Sequence, residues 1–170
     1  MLDVVLIGKL ADVLEKEASL YEKFLSVEKG KTDVIINGDV SELEGMVKIE
    51  QSFLEKMQEL EAERERIIEL IALKSGINAS DLTLTWIIEN SVQLELVQAN
   101  KLKSIRDKIL RTVNELKRVD EHNSKLINNS LEYINFSINL ITSANSAGSK
   151  YGNDGREGKE ERRNFFDIKL

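Results

Sequence analysis

The sequence predicts an all-α protein: a long antiparallel helical hairpin, a third long helix packed on it as a coiled-coil-like bundle, a short connecting helix and a disordered tail. Its 170 residues include no proline, so long helices can run without the residue that most often ends them. Apolar residues recur three or four positions apart through three long segments, which is the period of an amphipathic or coiled-coil helix. Only 5% of the residues are aromatic, and that favours narrow apolar seams over a compact sheet.

The first two helices form the predicted hairpin. One is expected over residues 2–36, with Glu17 interrupting its apolar stripe. Asn37-Gly38-Asp39 is a turn signal, and Asp39 is placed to cap a second helix over residues 40–74. A turn this short forces the two helices to lie antiparallel.

The second helix is predicted to bury one apolar stripe that contains polar exceptions. Glu50 lies within the stripe and Arg64 lies near it, so they predict either a buried polar pair or residues that set coiled-coil register. The apolar members of the predicted stripe are Leu43, Val47, Leu54, Met57, Leu60, Ile67 and Ile71.

A short apolar segment follows the hairpin. Gly76 is expected to end the second helix in the left-handed conformation, and Ser80 or Asp81 is expected to cap a short helix that ends near Glu89. Trp86 and its apolar neighbours predict a plug that closes one end of the hairpin. The alternative is an exposed binding site at Trp86.

The last long helix is expected over residues 91–145, and an apolar ladder occupies its second half. This ladder either completes an ordinary core or accepts a helix from another protein. Residues 1–145 are therefore predicted to form one elongated bundle and residues 146–170 a flexible tail. The tail ends in Phe165, Phe166, Ile168 and Leu170, which are costly to leave in water and predict docking on this protein or another.

Composition excludes several classes of function. A net charge of −6 gives no general attraction to nucleic acid or anionic membrane. The chain has no cysteine and a single histidine, so thiolate and His-pair metal sites are not expected. We find no signal-peptide pattern and no membrane-length apolar run, so we expect a soluble cytoplasmic protein that is not an enzyme and needs no cofactor. Two alternatives remain: a coiled-coil homo-oligomer or adaptor, and a phosphotransfer bundle that uses His122.

A series of residues spread over nearly the whole chain carries a resemblance to a known family. These residues are, in order, Gly38-Asp39, Leu43, Glu50, Leu54, Leu60-Glu61, Arg64, His122-Asn123, Leu126-Ile127, Leu131, the ladder to Ile141, and Tyr151-Gly152-Asn153-Asp154-Gly155. The Tyr-Gly-x-x-Gly element after the last long helix is the most specific feature. In these residues the chain resembles the FlgN-type flagellar export chaperones.

The resemblance implies a function that composition does not show. Members of this family bind the C-terminal helices of hook–filament junction proteins, prevent their premature assembly and deliver them to the type III export gate. It implies export-gate docking through Tyr151 and Gly152. It implies cargo binding through the late part of the last helix, at Asn123, Leu126, Ile127, Leu131, Ile134, Ile138 and Ile141.

Overall fold

The computed structural model describes residues 2–91 and 96–148, and it describes all of their side chains except those of residues 80, 91 and 144–148. The described elements are helices joined by turns, which confirms the all-α prediction. The chain divides into two compact units, Met1–Ser130 and Leu131–Leu170. The predicted boundary after residue 145 stays a prediction. In order, the elements are α1 (Val4–Asn37), α2 (Val40–Ser75), a 3-10 turn (Ala79–Asp81), α3 (Leu84–Ser91) and α4 (Leu96–Gly148).

Local sequence sets where the hairpin helices begin and end. Asp3 caps α1 by accepting from the backbone N–H of Val5 at 2.9 Å. Gly38 ends α1 at φ 69° and Gly76 ends α2 at φ 73°, left-handed values that favour glycine. The carboxylate of Asp39 accepts from the backbone N–H of Glu42 at 2.9 Å, so the predicted cap of α2 is confirmed.

The cap of α3 differs from the prediction. The hydroxyl of Thr83 accepts from the backbone N–H of Trp86 at 3.1 Å, the geometry of an N-cap. Asp81 instead belongs to the 3-10 turn that precedes it, as does Ser80. Ser80 and Asp81 were therefore the wrong choices, because the 3-10 turn moves the start of α3 two residues further along the chain.

Helices α1 and α2 are antiparallel, as predicted. Three contacts show this, because residues later in the first helix meet residues earlier in the second: Asp3 with Lys74 at 2.6 Å, Glu17 with Arg64 at 3.0 Å and Lys31 with Glu50 at 2.6 Å. The polar residues that interrupt the predicted stripes therefore form buried or half-buried pairs across the hairpin.

The apolar core gathers where α1 begins and α2 ends. Ile7 and Leu10 of α1, Ile71 of α2 and Leu102 of α4 are almost fully buried there. Ile87 of α3 joins the same cluster, and Trp86 packs against it. The plug predicted for this segment is confirmed, and burial of so much apolar area explains why a helix as short as α3 persists.

The other end of the hairpin is less buried. Val47 and Leu54, which were predicted to lie in the buried stripe of α2, are exposed. Met46 and Phe53 take the inward positions, and Phe53 stacks on Phe24 of α1 with ring centroids 5.6 Å apart. The predicted stripe was wrong by about one residue here, because apolar residues on two adjacent helix faces compete for the same seam.

Helix α4 runs parallel to α1 in a heptad register. Lys101 pairs with Glu15 at 3.1 Å and Lys108 pairs with Glu22 at 2.9 Å. The next step along both helices reverses the charges, with Lys29 on α1 and Glu115 on α4. A slip of one heptad in either direction sets two like charges opposite each other, so the ladder disfavours wrong registers.

Glu17 is the most buried carboxylate of the α1–α2 seam. One oxygen accepts from Arg64 at 3.0 Å, and the other is a buried oxygen without a hydrogen-bond partner in the described part of the chain. Burial raises the pKa of Glu17 above its ordinary value, although the Arg64 guanidinium opposes the shift. Ionised Glu17 therefore costs free energy in the folded state.

We expect Glu17→Gln to remove part of the pH dependence of stability. The folded state holds the Glu17 proton more tightly than the unfolded chain does. The contribution of Glu17 to the free energy of unfolding therefore increases as the pH falls from neutrality toward the ordinary carboxyl pKa of 4.5. Urea denaturation should show the wild type gaining stability relative to Glu17→Gln over this window.

The control is Glu55→Gln, which changes an exposed carboxylate of α2. Its stability should follow the wild type at every pH. A constant difference between the wild type and Glu17→Gln across the window would contradict the raised pKa.

Candidate functional site

The second unit carries an uncovered apolar stripe on α4. Leu131, Ile134, Ile138 and Ile141 recur at steps of three and four, so they lie along one side of the helix. Their exposed fractions are between 43% and 63%. We call these four residues the aliphatic stripe.

A second apolar stripe lies on another side of the same helix. Tyr133, Phe136 and Leu140 follow each other at steps of three and four, and their exposed fractions are between 59% and 72%. We call these three residues the aromatic stripe. Sequence reasoning missed it, although placing residues 131–141 at 100° intervals around a helix separates the two stripes.

Polar side chains around the stripes add little charge. Asn135 and Asn139 separate the stripes on one side, and Glu132 is the only charged residue of positions 131–143. The hydroxyl of Thr142 donates to the carbonyl of Ile138 at 2.8 Å, so its polar group turns toward the helix backbone. The surface is therefore apolar and nearly neutral, as expected of a surface that recognises apolar partners.

The remaining predicted cargo residues belong to the first unit and are more covered. Leu126 and Ile127 are half-buried, and Asn123 is buried with an exposed fraction of 1%. Asn123 therefore has no free surface in this conformation, unlike the four residues of the aliphatic stripe.

Asn123 joins α4 to α1 through three hydrogen bonds. Its Nδ2 donates to the backbone carbonyl of Glu28 at 2.9 Å and to the Glu28 carboxylate at 3.1 Å. Its Oδ1 accepts from the hydroxyl of Thr32 at 2.7 Å. Both ends of the amide are thus used, which fixes the amide orientation and the level at which α4 meets α1.

The same cluster extends to α2 through Lys31. The Lys31 Nζ donates to Glu28 at 2.7 Å and to Glu50 at 2.6 Å. Three helices therefore meet in one polar cluster made of Glu28, Lys31, Thr32, Glu50 and Asn123, which we call the Asn123 cluster. Burial disfavours its charges, so its stability depends on each group keeping its partners.

Charge in the Asn123 cluster is unevenly shared. Burial raises the pKa of Glu28, but Glu50, Lys31 and Asn123 outweigh it and hold that pKa below the ordinary value. Burial and the facing Glu28 raise the pKa of Glu50, and Lys31 only partly offsets them. Burial lowers the pKa of Lys31, but the two carboxylates raise it above its ordinary value. Glu28 and Glu50 therefore titrate as a pair, and Lys31 favours the charged form of both carboxylates.

Other sequence hypotheses find less support in the described residues. Trp86 is half-buried against the core, which favours the plug over a binding site. His122 is exposed. Among the residues that the structure describes, no group of His, Cys, Asp and Glu is arranged to hold a metal, and no helix could cross a membrane. Tyr151 and Gly152, the predicted gate-docking residues, lie outside the described residues.

Comparison with known proteins places the chain in one family. The family model described as FlgN protein matches residues 1–159. This stretch includes the whole described structure and Tyr151. No curated protein and no solved structure matches the chain. The resemblance drawn from the sequence motifs is therefore confirmed at the level of the family.

We expect Asn123→Ala to destabilise the first unit. The substitution removes three hydrogen bonds, two of them to Glu28, and leaves buried polar groups unpaired, so the free energy of unfolding should fall by about 2–3 kcal/mol. Denaturation in urea, followed by circular dichroism, measures the change.

The matched control is Asn129→Ala, which changes an exposed asparagine on the same helix. It should alter stability by no more than about 0.5 kcal/mol. Equal free energies of unfolding for the two variants would show that the hydrogen bonds of Asn123 do not stabilise the first unit.

Proposed function

This chain belongs to the FlgN family of flagellar export chaperones, and from that premise we propose that it binds the C-terminal helical segments of hook–filament junction proteins. It prevents their premature assembly in the cytoplasm and delivers them to the flagellar type III export gate. The observation that carries the proposal is the exposed aliphatic stripe of α4.

The stripe suits an amphipathic helix as its ligand. Its four aliphatic side chains recur at the helical spacing at which a partner helix presents its own apolar residues. The near absence of charge around it leaves burial of apolar surface as the main driving force. A cargo segment that is unfolded before binding would become ordered on this surface, and burial of about 1,000 Å² or more would offset its loss of entropy.

Three of the predicted cargo residues lie in the first unit. Leu126 and Ile127 are half-buried, so they extend the cargo surface only by their exposed parts. Asn123, in this proposal, does not contact cargo. It anchors the first-unit part of α4 to α1 through Glu28 and Thr32.

Delivery is assigned to the segment after α4. Tyr151 and Gly152 fall within the stretch that the family model matches, and an aromatic residue beside glycines buries much area at low entropic cost. In this proposal Tyr151 inserts into the export gate while the cargo stays on α4. The two contacts use different residues and can be separated by mutation.

We expect Ile134→Asp to weaken cargo binding strongly. A carboxylate in the middle of the aliphatic stripe must be desolvated against an apolar helix, so affinity for a junction-protein C-terminal segment should fall by about 2 kcal/mol or more, roughly 30-fold. Calorimetry measures the affinity, and circular dichroism checks that helicity is kept.

The charge-matched control is Asn139→Asp, which introduces the same charge on the polar side of α4, between the two stripes. It should bind cargo like the wild type. If Ile134→Asp also binds normally, the aliphatic stripe is not the cargo site. Light scattering on the free protein addresses the alternative, because a homo-oligomer that buries the stripe would give a concentration-dependent mass.

We expect Tyr151→Ala to leave cargo affinity unchanged and to reduce secretion of the junction protein. The side chain is remote in sequence from the aliphatic stripe, so its loss should affect only gate docking. Secretion in cells and calorimetry with purified cargo measure the two effects. Tyr151→Phe keeps the ring and is the control, and normal secretion by Tyr151→Ala would remove the docking role.

A further inference from the structure

The aromatic stripe of α4 is not used by the proposed function. At 100° per residue its centre lies about 150° around the helix from the aliphatic stripe. A single cargo helix resting on the aliphatic stripe therefore cannot also cover Tyr133 and Phe136. The aromatic stripe would therefore need a different binding partner.

The rings of Tyr133 and Phe136 are more exposed than the other aromatic side chains of the described structure. The aromatic residues of the first unit are all at least half-buried: Tyr21, Phe24, Phe53 and Trp86. Tyr133 and Phe136, by contrast, are 72% and 64% exposed. The described helices thus leave two large rings uncovered at one place only, and both belong to the aromatic stripe.

The chain itself contains a segment of matching chemistry. Residues 165–170 carry two adjacent phenylalanines, Phe165 and Phe166, followed by Ile168 and Leu170. Aromatic rings pair favourably with one another beyond the area they bury.

Chain length allows this segment to reach the stripe. Sixteen residues, 149–164, separate Phe165 from the end of α4 at Gly148, and they span up to roughly 50 Å when extended. Leu140 and Tyr133 lie only about 12 and 22 Å back along the helix from Gly148. A segment tethered within such a distance acts at a high effective concentration, so even weak contacts become populated.

We propose that residues 165–170 pack on the aromatic stripe of α4 and leave the aliphatic stripe open. The contact covers the two rings that the described helices leave exposed.

Disulfide trapping tests which side of α4 the segment occupies. The chain has no cysteine, so every disulfide formed is an engineered one. Glu132→Cys borders the aromatic stripe and Asn135→Cys borders the aliphatic stripe, and each is combined with Asp167→Cys in an otherwise full-length chain. Because a disulfide needs Cβ atoms about 4 Å apart, the rate of bond formation reports proximity.

We expect the Glu132/Asp167 pair to form an intramolecular disulfide faster than the Asn135/Asp167 pair. Adding Phe165→Ser and Phe166→Ser should remove this difference, since the tether remains but the rings are gone. Circular dichroism confirms that all variants keep their helices. No cargo is present, so the result is independent of the proposed cargo site.

Three outcomes would overturn the proposal. Equal or faster trapping at Asn135 would place the segment on the aliphatic stripe or on neither side. Disulfides formed only between chains, seen as a doubled mass, would assign the aromatic stripe to a second copy. A difference that survives loss of both phenylalanines would show that the rings do not make the contact.

Discussion

The register between α1 and α4 is the constraint on which the rest of this structure depends. The ion pairs at Lys101 and Lys108, with the reversed pair of Lys29 and Glu115, repeat at heptad steps along both helices. Each pair is exposed and contributes little to stability by itself. The order of the charges affects the register more than the strength of each pair does. Because the last pair is reversed, a slip of one heptad would place two like charges opposite each other.

The Asn123 cluster reinforces that register at the point where α1 is about to end. Asn123 lies beside Thr32, and α1 stops at Asn37, five residues later. Because the helices are parallel, α1 ends about level with Asn128 of α4, whereas α4 continues to Gly148. A buried amide at this position gives up apolar packing for a fixed alignment, a trade known from coiled coils with a single polar core residue.

Sequence patterns predicted the fold better than they predicted the faces of its helices. Turns and caps follow from local chemistry, so Gly38, Asp39 and Gly76 were assigned correctly. Which face of a helix is buried depends on the helix that packs against it, and local sequence does not show this. This explains the wrong assignment of Val47 and Leu54. Asn123 illustrates the same limit at the candidate site, since its burial depends on Glu28 and Thr32 nearly a hundred residues earlier. The residues of the aliphatic stripe could be identified from spacing alone, because they recur at steps of three and four along one helix.

An exposed apolar helix raises the question of how it stays helical while its apolar side chains face water. Residues 131–143 contain no glycine and no proline, and hydroxyls such as that of Thr142 bond back to the helix. The helix also grows from a segment already ordered by packing on α1, so it avoids the cost of nucleation. In the proposed function, pre-ordering this helix lowers the entropy lost on binding, and the remaining cost falls on the cargo.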